Sequence, residues 1–220
     1  MFQRLLFWIR RLRYPGPARY WSARYARGGH SGSGSAGEVA AYKAAFLNRF
    51  VREHNIQTVA ELGCGDGRQL ALADYPSYLG FDIAPEAVEL CRQRFSGNPA
   101  RHFAVYDPAD FEPARHRAEL ALSLEVIFHL TEQDLYERHI RDLFALASRW
   151  VVIFSADKDA ATPFPHFVLR RFTPDVGRWA PDWRLREQAP NPFPGRSVSQ
   201  FFVFEKIPQS QHPQILSVLP

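Results

Sequence analysis

The glycine-rich stretch VAELGCGDGRQ at residues 59–69 limits what this chain can fold into more than any other part of the sequence. Its apolar beginning predicts a buried β-strand over residues 58–62, and glycines then follow at every second position from 63 to 67. Glycine lets a backbone turn sharply and approach a ligand closely, because it has no Cβ. We expect a helix to begin near Asp66 or Gly67, with its free N–H groups at the turn. The stretch therefore predicts a turn that holds a cofactor.

The residues around these glycines distinguish two kinds of cofactor. The dinucleotide fingerprint G-x-G-x-x-G would need a small residue where the chain has Arg68, and the stretch reads E-x-G-x-G-x-G instead. The leading carboxylate, Glu61, suits a ligand that carries an ammonium group. A second carboxylate, Asp82, ends the apolar run at 78–82, where it can accept hydrogen bonds from ribose hydroxyls. Together they favour S-adenosylmethionine, and an NAD-dependent oxidoreductase is a more distant alternative.

Two motifs carry a resemblance to a known family. ELGCGDG at 61–67 and GFDIAPEAVELC at 80–91 resemble the first and second motifs of the class I S-adenosylmethionine-dependent methyltransferases. The resemblance covers roughly residues 38–206, and the sequences at 20–37 and 123–130 are similar to those of a group of small bacterial methyltransferases. It implies S-adenosyl-L-methionine as cofactor and an α/β fold, a Rossmann-like doubly wound sheet of about seven strands with the last strand antiparallel and helices on both faces.

The resemblance also implies which residues contact the cofactor. In the family an acidic residue after the third strand meets the adenine amino group, and Asp107 fits that place better than Asp110 because it directly follows an apolar run. The alternative is that Asp107 caps the turn before Pro108. The full set implied for cofactor binding is Glu61, Gly63, Cys64, Gly65, Asp82, Ile83, Asp107, Ser33 and Ser35.

The segment GGHSGSGSAG at residues 28–37 lies directly before the predicted domain. Its glycine and serine content is typical of a flexible linker. Its position and the resemblance favour a lid, whose backbone N–H groups and Ser33 or Ser35 hydroxyls close over the carboxylate of the cofactor. The sequence leaves both interpretations open.

Length and composition indicate one α/β domain with a full core, since the chain has 220 residues, 46% of them apolar and 14% aromatic. We place this domain at residues 38–206, with an acceptor-side insertion at 156–195 that is rich in proline and aromatic residues, and a loose tail at 207–220. The two cysteines provide no disulfide framework, which predicts a reducing, cytoplasmic location. The eight histidines show no metal-ligand spacing, so no metal is expected.

Positive charge is concentrated at the start of the chain. Residues 1–37 hold seven arginines and no other charged residue apart from His30, so they carry +7 in a chain whose formal net charge is +4. A catalytic face for nucleic acid would place Lys and Arg on the domain itself, so we expect no nucleic acid partner. Residues 1–14 form a basic amphipathic pattern that can lie on an anionic membrane surface; the alternative is docking on the same domain or on a partner chain. Its apolar run is too short to span a membrane, and no export cleavage site follows.

The remaining periodic segments complete the predicted sheet. A nearly continuous apolar run at 118–130 is typical of a central parallel strand. The other predicted elements are a helix over 38–54, a third strand ending at Asp107, a helix over 131–147 with Thr131 as its N-cap, a fifth strand at 149–155 and antiparallel final strands at 183–189 and 199–206.

Two places in the sequence carry candidate catalytic residues. Methyl transfer needs an acceptor held in line, exclusion of water and often a base for the acceptor proton. Glu125 and His129 follow the fourth strand, although His129 also suits a structural hydrogen bond that caps this turn. His166 lies in the aromatic insertion and is the preferred base. Arg170 and Arg171 would hold an acidic acceptor or, alternatively, form a solvated basic face.

These observations lead to one preferred function and one alternative. Ser-Leu-Glu-Val at 123–126 stands where enzymes that methylate planar amino groups carry N-P-P-Y, which argues against an adenine or cytosine amino acceptor. The sequence predicts a methyltransferase that acts on a small-molecule or glycan acceptor by O-methylation. The alternative is a cofactor-binding domain without turnover, recruited to a membrane or a partner by its basic arm. Intact Glu61, Gly63, Gly65 and Asp82 favour the enzyme.

Overall fold

A seven-stranded mixed β-sheet forms the centre of the computed structural model, which describes residues 14–208. The strand order is β3-β2-β1-β4-β5-β7-β6, and β7 runs antiparallel to both neighbours while the other pairs are parallel. This arrangement confirms the predicted Rossmann-like sheet. The strands are β1 Thr58–Leu62, β2 Ser77–Asp82, β3 Arg101–Val105, β4 Ala118–Leu124, β5 Ala147–Ser155, β6 Trp183–Ala189 and β7 Gln200–Lys206.

Within residues 14–208, five α-helices lie against or beside this sheet. Two of them begin with proline. Proline suits the first helical turn because the N–H groups there have no acceptor within the helix, so the N–H that proline lacks is not needed. Short 3₁₀ turns cover residues 33–35, 70–72, 113–116 and 127–129. The helices are α1 Pro17–Ala26, α2 Gly37–Glu53, α3 Pro85–Arg94, α4 Gln133–Leu146 and α5 Thr173–Trp179.

The core has one apolar layer on each face of the sheet. On one side, Leu120 and Leu122 of β4 pack in the layer that α2 and α3 cover. Ala121, which lies between them in the strand, packs in the opposite layer with residues of α4 and α5. Successive side chains of a strand point to opposite faces, so a central strand covered on both sides must be apolar throughout. This explains why β4 and β5 read as continuous apolar runs.

The helix predicted after the glycine turn is absent. Gly65 and Gly67 have φ angles of 56° and 74°, and a right-handed helix cannot begin through residues in the left-handed region. A short 3₁₀ turn at Leu70–Leu72 takes its place and buries Leu70. The chain then returns directly to β2.

Two smaller expectations about element ends were also wrong. Strand β3 ends at Val105, so Asp107 lies two residues beyond it. Helix α4 begins at Gln133 after Glu132, and no side chain caps its first turn, so Thr131 is not the N-cap. Both shifts arise where loop hydrogen bonds, rather than apolar periodicity, decide the boundary.

The basic amphipathic segment at the N-terminus lies almost entirely outside the described residues, since only Tyr14 of residues 1–14 is described. Of the predicted tail, only residues 207 and 208 are described. Between residues 14 and 208, no helix has the length and apolar character needed to cross a membrane.

Candidate active site

A cavity of about 670 Å³ opens at the carboxyl ends of β1, β2 and β4. This volume is in the range of small-molecule and cofactor sites. Parallel strands bring their carboxyl ends to one edge of a sheet, so the residues that follow β1, β2 and β4 meet here. Most of the rest of the wall comes from α1, the segment 31–35, residues 161–169 of the insertion and the loop at 194–199, and α2 and α4 contribute a few residues.

The glycine turn forms the floor of the cavity. Gly63 and Gly65 have φ angles of 91° and 56°, and a Cβ at either position would collide with Val126 or with Ser31. The backbone N–H groups of Gly63 and Cys64 both donate to the carbonyl of Phe81, at 2.7 and 3.0 Å. The turn is therefore fastened to the end of β2, and its glycines leave room for Val126 and Ser31 to pack against it.

Asp82 lies at the cavity wall beside Ile83 and is almost completely buried. Its two oxygens accept hydrogen bonds from the backbone N–H groups of Gly65 and Ala84, both at 2.9 Å. Burial raises the pKa of Asp82 to about 6, although these two donors act in the opposite direction. A carboxylate oriented in this way suits ribose hydroxyls, which donate to its remaining lone pairs.

Glu61 is the second buried carboxylate of the cavity wall. The Tyr78 hydroxyl donates to its Oε2 atom at 2.6 Å, and no described residue donates to its Oε1 atom. Burial raises the pKa of Glu61 to about 7, against the lowering effects of Tyr78 and of the Lys43 ammonium. An ammonium group of a ligand would satisfy the remaining oxygen and favour the ionised form.

Lys43 of α2 is a cavity residue that the sequence did not reveal as one. Its side chain is 1% exposed, and its ammonium group forms an ion pair with Oε2 of Glu125 at 3.1 Å. The hydroxyl of Ser197 donates to the other oxygen of Glu125 at 3.1 Å. A Cβ on Gly34 would collide with this carboxylate, so only glycine lets the 31–35 segment pass so close. The sequence held one indication of this buried role: the lysine stands on the apolar stripe of α2, between Val39 and Leu47.

The segment 31–35 is packed directly on the glycine turn. The Ser31 hydroxyl donates to Oδ1 of Asp66 at 2.8 Å, and the backbone N–H of Asp66 lies 2.9 Å from the same hydroxyl oxygen. Tyr25 of α1 forms a further hydrogen bond to Ser31, at 3.0 Å. Ser33 and Ser35 line the cavity, as a lid over it would require. Ser31, which makes the anchoring contacts, was not among the predicted residues.

Two histidine rings also line the cavity. His129 Nδ1 is 3.1 Å from the backbone carbonyl oxygen of His166, to which it donates as the neutral ring. The His166 ring stacks on Tyr20, with ring centroids 4.9 Å apart. Burial lowers the pKa of His129 to about 4 and also lowers that of His166. Both rings are therefore neutral at pH 7, and each has a nitrogen that can accept a proton.

Three residues singled out in the sequence do not line the cavity. Asp107 is exposed, and its Oδ1 atom accepts a hydrogen bond from the backbone N–H of Ala109 at 2.9 Å, which is the turn-capping role. Arg170 donates to the carbonyl of Leu130 at 2.9 Å and lies over the ring of Tyr136. Arg171 is exposed. Within residues 14–208, no cluster of three or more His, Cys, Asp or Glu side chains is placed to hold a metal ion.

Residues 59–148 match the family described as "Methyltransferase domain". Among curated proteins, a tRNA (carboxymethyluridine(34)-5-O)-methyltransferase of Arabidopsis thaliana is 20% identical over 157 residues, which are 70% of this chain and 36% of the relative. A small RNA 2'-O-methyltransferase of the same plant is 25% identical over 141 residues, 58% of this chain and 14% of the relative. The chain thus spans about a third and about a seventh of these curated relatives.

Solved structures show the same fold at low identity. The methyltransferase domain of a bacterial Hen1 aligns with a TM-score of 0.62 at 18% identity, covering 76% of this chain and 98% of that one. Magnesium protoporphyrin IX methyltransferase of Synechocystis with bound S-adenosylmethionine aligns with a TM-score of 0.59 at 17% identity, covering 76% and 79%. N-methyltransferase NodS of Bradyrhizobium japonicum with bound S-adenosylhomocysteine aligns with 0.59 at 16%, covering 76% and 85%.

The burial of Glu61 leads to a prediction about pH and stability. Its pKa in the folded protein, about 7, lies above the ordinary 4.5, so its ionisation destabilises the folded state as the pH rises through this interval. Glutamine keeps the shape and accepts the Tyr78 hydrogen bond but does not ionise. We expect Glu61→Gln to raise the free energy of unfolding by about 1–3 kcal/mol at about pH 8 and to leave it nearly unchanged at about pH 4.5.

Urea denaturation at both pH values measures this effect. Glu53→Gln is the matched control, because Glu53 lies on α2 with its side chain 61% exposed, and it should be nearly neutral at both. A loss of stability in Glu61→Gln at pH 8, or an equal gain at both pH values, would show that the carboxyl group is not buried as described.

Proposed function

We propose that this chain, whose residues 59–148 match a methyltransferase domain, is a class I S-adenosylmethionine-dependent methyltransferase that methylates a hydroxyl oxygen of a small-molecule or glycan acceptor. One observation carries the proposal: the same cavity is lined by two buried carboxylates, Glu61 and Asp82, and by two neutral imidazoles, His129 and His166. We assign the carboxylates to its cofactor end and the imidazoles to its acceptor end. The first pair suits the cofactor, and the second suits an acceptor that must lose a proton.

The cofactor end fits the polar groups of S-adenosylmethionine. Asp82 is assigned to the ribose hydroxyls and the free oxygen of Glu61 to the ammonium group. The backbone of the glycine turn lies under the ligand, and Ser33 and Ser35 border the same cavity. When bound, the cofactor supplies a methyl group on a sulfonium, so that its C–S bond breaks as the new C–O bond forms.

The acceptor end explains why we favour a small acceptor. Helix α1 and the insertion at 161–169 cover it, and its wall is largely aromatic: Tyr20, Trp21, Phe128, Phe164 and Phe167. Such a wall excludes water and packs well against a compact organic molecule. The expected exclusion of nucleic acid has no support in the comparisons, because the two curated relatives act on RNA by their names. RNA is therefore included among the acceptors to be tested.

His166 is proposed as the base that accepts the acceptor proton. No described residue hydrogen bonds to its ring nitrogens, and its lowered pKa keeps it neutral and able to take a proton at pH 7. His129 acts through His166, because its ring holds the His166 carbonyl. Glu125 is held by Lys43 and Ser197, so its proposed role is to position the lid segment beside Gly34.

Cofactor binding is tested by calorimetry with S-adenosylhomocysteine. Asp82→Ala removes two acceptor oxygens from the cavity, and we expect it to weaken binding by about 1.5–3 kcal/mol. Asp107→Ala serves as the matched control, since Asp107 is exposed and outside the cavity, and it should bind as the wild type does. Tight NAD binding without S-adenosylhomocysteine binding would contradict the proposal.

The acceptor base is tested with radiolabelled S-adenosylmethionine and a panel of hydroxylated small molecules, glycans and RNA. With the acceptor that is methylated, His166→Ala should lower kcat about 10²-fold or more and leave the affinity for S-adenosylhomocysteine unchanged. His129→Ala should reduce stability or cofactor affinity, and the exposed His102→Ala should change neither. RNA as the only acceptor, or a loss of kcat in His129→Ala with a silent His166→Ala, would overturn the assignment.

A further inference from the structure

Arg24 of α1 brings into the cavity a positive charge that has no acidic partner. It lines the cavity, and no carboxylate among residues 14–208 lies within ion-pair distance of its guanidinium. Two other cations of the wall are matched, Lys43 by Glu125 and Arg196 by Glu38. An unmatched cation facing a partly enclosed cavity is costly in the free protein, unless a ligand supplies the opposite charge.

The guanidinium of Arg24 is held in place from two sides. Its Nε–H donates to the backbone carbonyl of His30 at 2.6 Å, and its central carbon lies 5.7 Å from the ring centroid of Trp21. The two terminal nitrogens, Nη1 and Nη2, have no hydrogen-bond partner among the described residues. Arginine binds carboxylates through such a fork of parallel N–H donors, and a fixed fork loses little entropy on binding.

This guanidinium acts on the histidine end of the cavity. Its charge helps to lower the pKa of both His129 and His166. The Trp21 ring, over which the guanidinium lies, also contacts the His129 ring, with ring centroids 4.9 Å apart. The fork therefore lies close to the two histidines.

We propose that Arg24 binds an acidic group of the acceptor, so that the substrate is a hydroxylated acid whose flat body packs against the aromatic wall around Trp21 and Tyr20. The inference rests on the proposed function and narrows its substrate class. Arg24 thereby takes the role that the sequence suggested for Arg170 and Arg171, which lie outside the cavity. The acceptor hydroxyl gives its proton to His166 and receives the methyl group, and S-adenosylhomocysteine leaves as the neutral sulfide.

A carboxylate at Arg24 has a second source, the amino acid end of the cofactor itself. Two binding measurements distinguish the sources. The first is the affinity of the protein for S-adenosylhomocysteine. The second compares benzoate with benzamide, which have the same flat shape and differ in charge, as ligands of the protein saturated with S-adenosylhomocysteine.

Both measurements are made by calorimetry on the wild type, Arg24→Gln, Arg24→Lys and the control Arg19→Gln. Arg19 lies on the same helix, is exposed and does not line the cavity. We expect the wild type and Arg19→Gln to bind benzoate about tenfold more tightly than benzamide, Arg24→Gln to lose this preference, and Arg24→Lys to keep part of it. Affinity for S-adenosylhomocysteine should be the same in all four, and a thermal melt confirms that each is folded.

The outcomes separate the inference from the function on which it rests. No binding of S-adenosylhomocysteine to the wild type would refute the proposed function itself. Normal binding with no benzoate binding, equal binding of benzoate and benzamide, or a preference that survives in Arg24→Gln would refute only the acidic acceptor. A selective loss of S-adenosylhomocysteine affinity in folded Arg24→Gln would assign the guanidinium to the cofactor carboxylate and refute the inference.

Discussion

The hydrogen bonds that Asp82 accepts from Gly65 and Ala84 hold the active-site edge of this protein together. The bond from Gly65 joins the turn after β1 to the end of β2, the bond from Ala84 orients the Asp82 carboxylate, and the carbonyl of Phe81 accepts two more bonds from the same turn. A turn with three glycines at positive φ, Gly63, Gly65 and Gly67, has little stability of its own, so these bonds decide its shape. Ser31 and Tyr25 can cover the turn only because it keeps that shape.

Electrostatics divide the cavity into two ends. Glu61 and Asp82 are buried carboxyl groups with raised pKa values, so the folded protein bears the cost of their ionisation until a ligand offers donors or positive charge. At the opposite end, the histidines are neutral and Arg24 is a cation without an acidic partner in the described part of the chain. A cofactor that carries a positive charge, bound together with an acceptor that carries a negative charge, would complement this arrangement.

The sequence was most informative where residue type and spacing determine backbone geometry. Alternate glycines, two carboxylates at strand ends and apolar runs predicted the glycine turn and the position of Glu61 and Asp82, and the family resemblance that these motifs carry implied the sheet with its antiparallel last strand. The spacing of residues along the sequence does not show which loops meet in space. The sequence analysis therefore missed the Lys43–Glu125 ion pair, whose partners are 82 residues apart, and the Ser31–Asp66 contact.

The sequence also misled where two roles share one residue type. An Asp that follows an apolar run is equally consistent with a ligand contact and with a turn cap. Asp107 caps the turn, because its carboxylate accepts a hydrogen bond from the backbone N–H of Ala109. Arginines next to an aromatic insertion predict an anion site, but Arg170 is used to join α4 to the insertion. Arg24, the cavity arginine without an acidic partner among the described residues, is in α1, within the basic residues 1–37 that the sequence did not connect with the cavity.

A crystal structure of the protein with S-adenosylhomocysteine tests the central claim most directly, namely that one cavity under α1 receives both cofactor and acceptor. The account predicts electron density for the ligand on the glycine turn, with ribose hydroxyls within hydrogen-bond distance of Asp82, the ammonium group at Glu61 and the sulfur facing the side of His166. Density for the ligand outside this cavity, or a ligand whose sulfur faces away from the histidines, would contradict it.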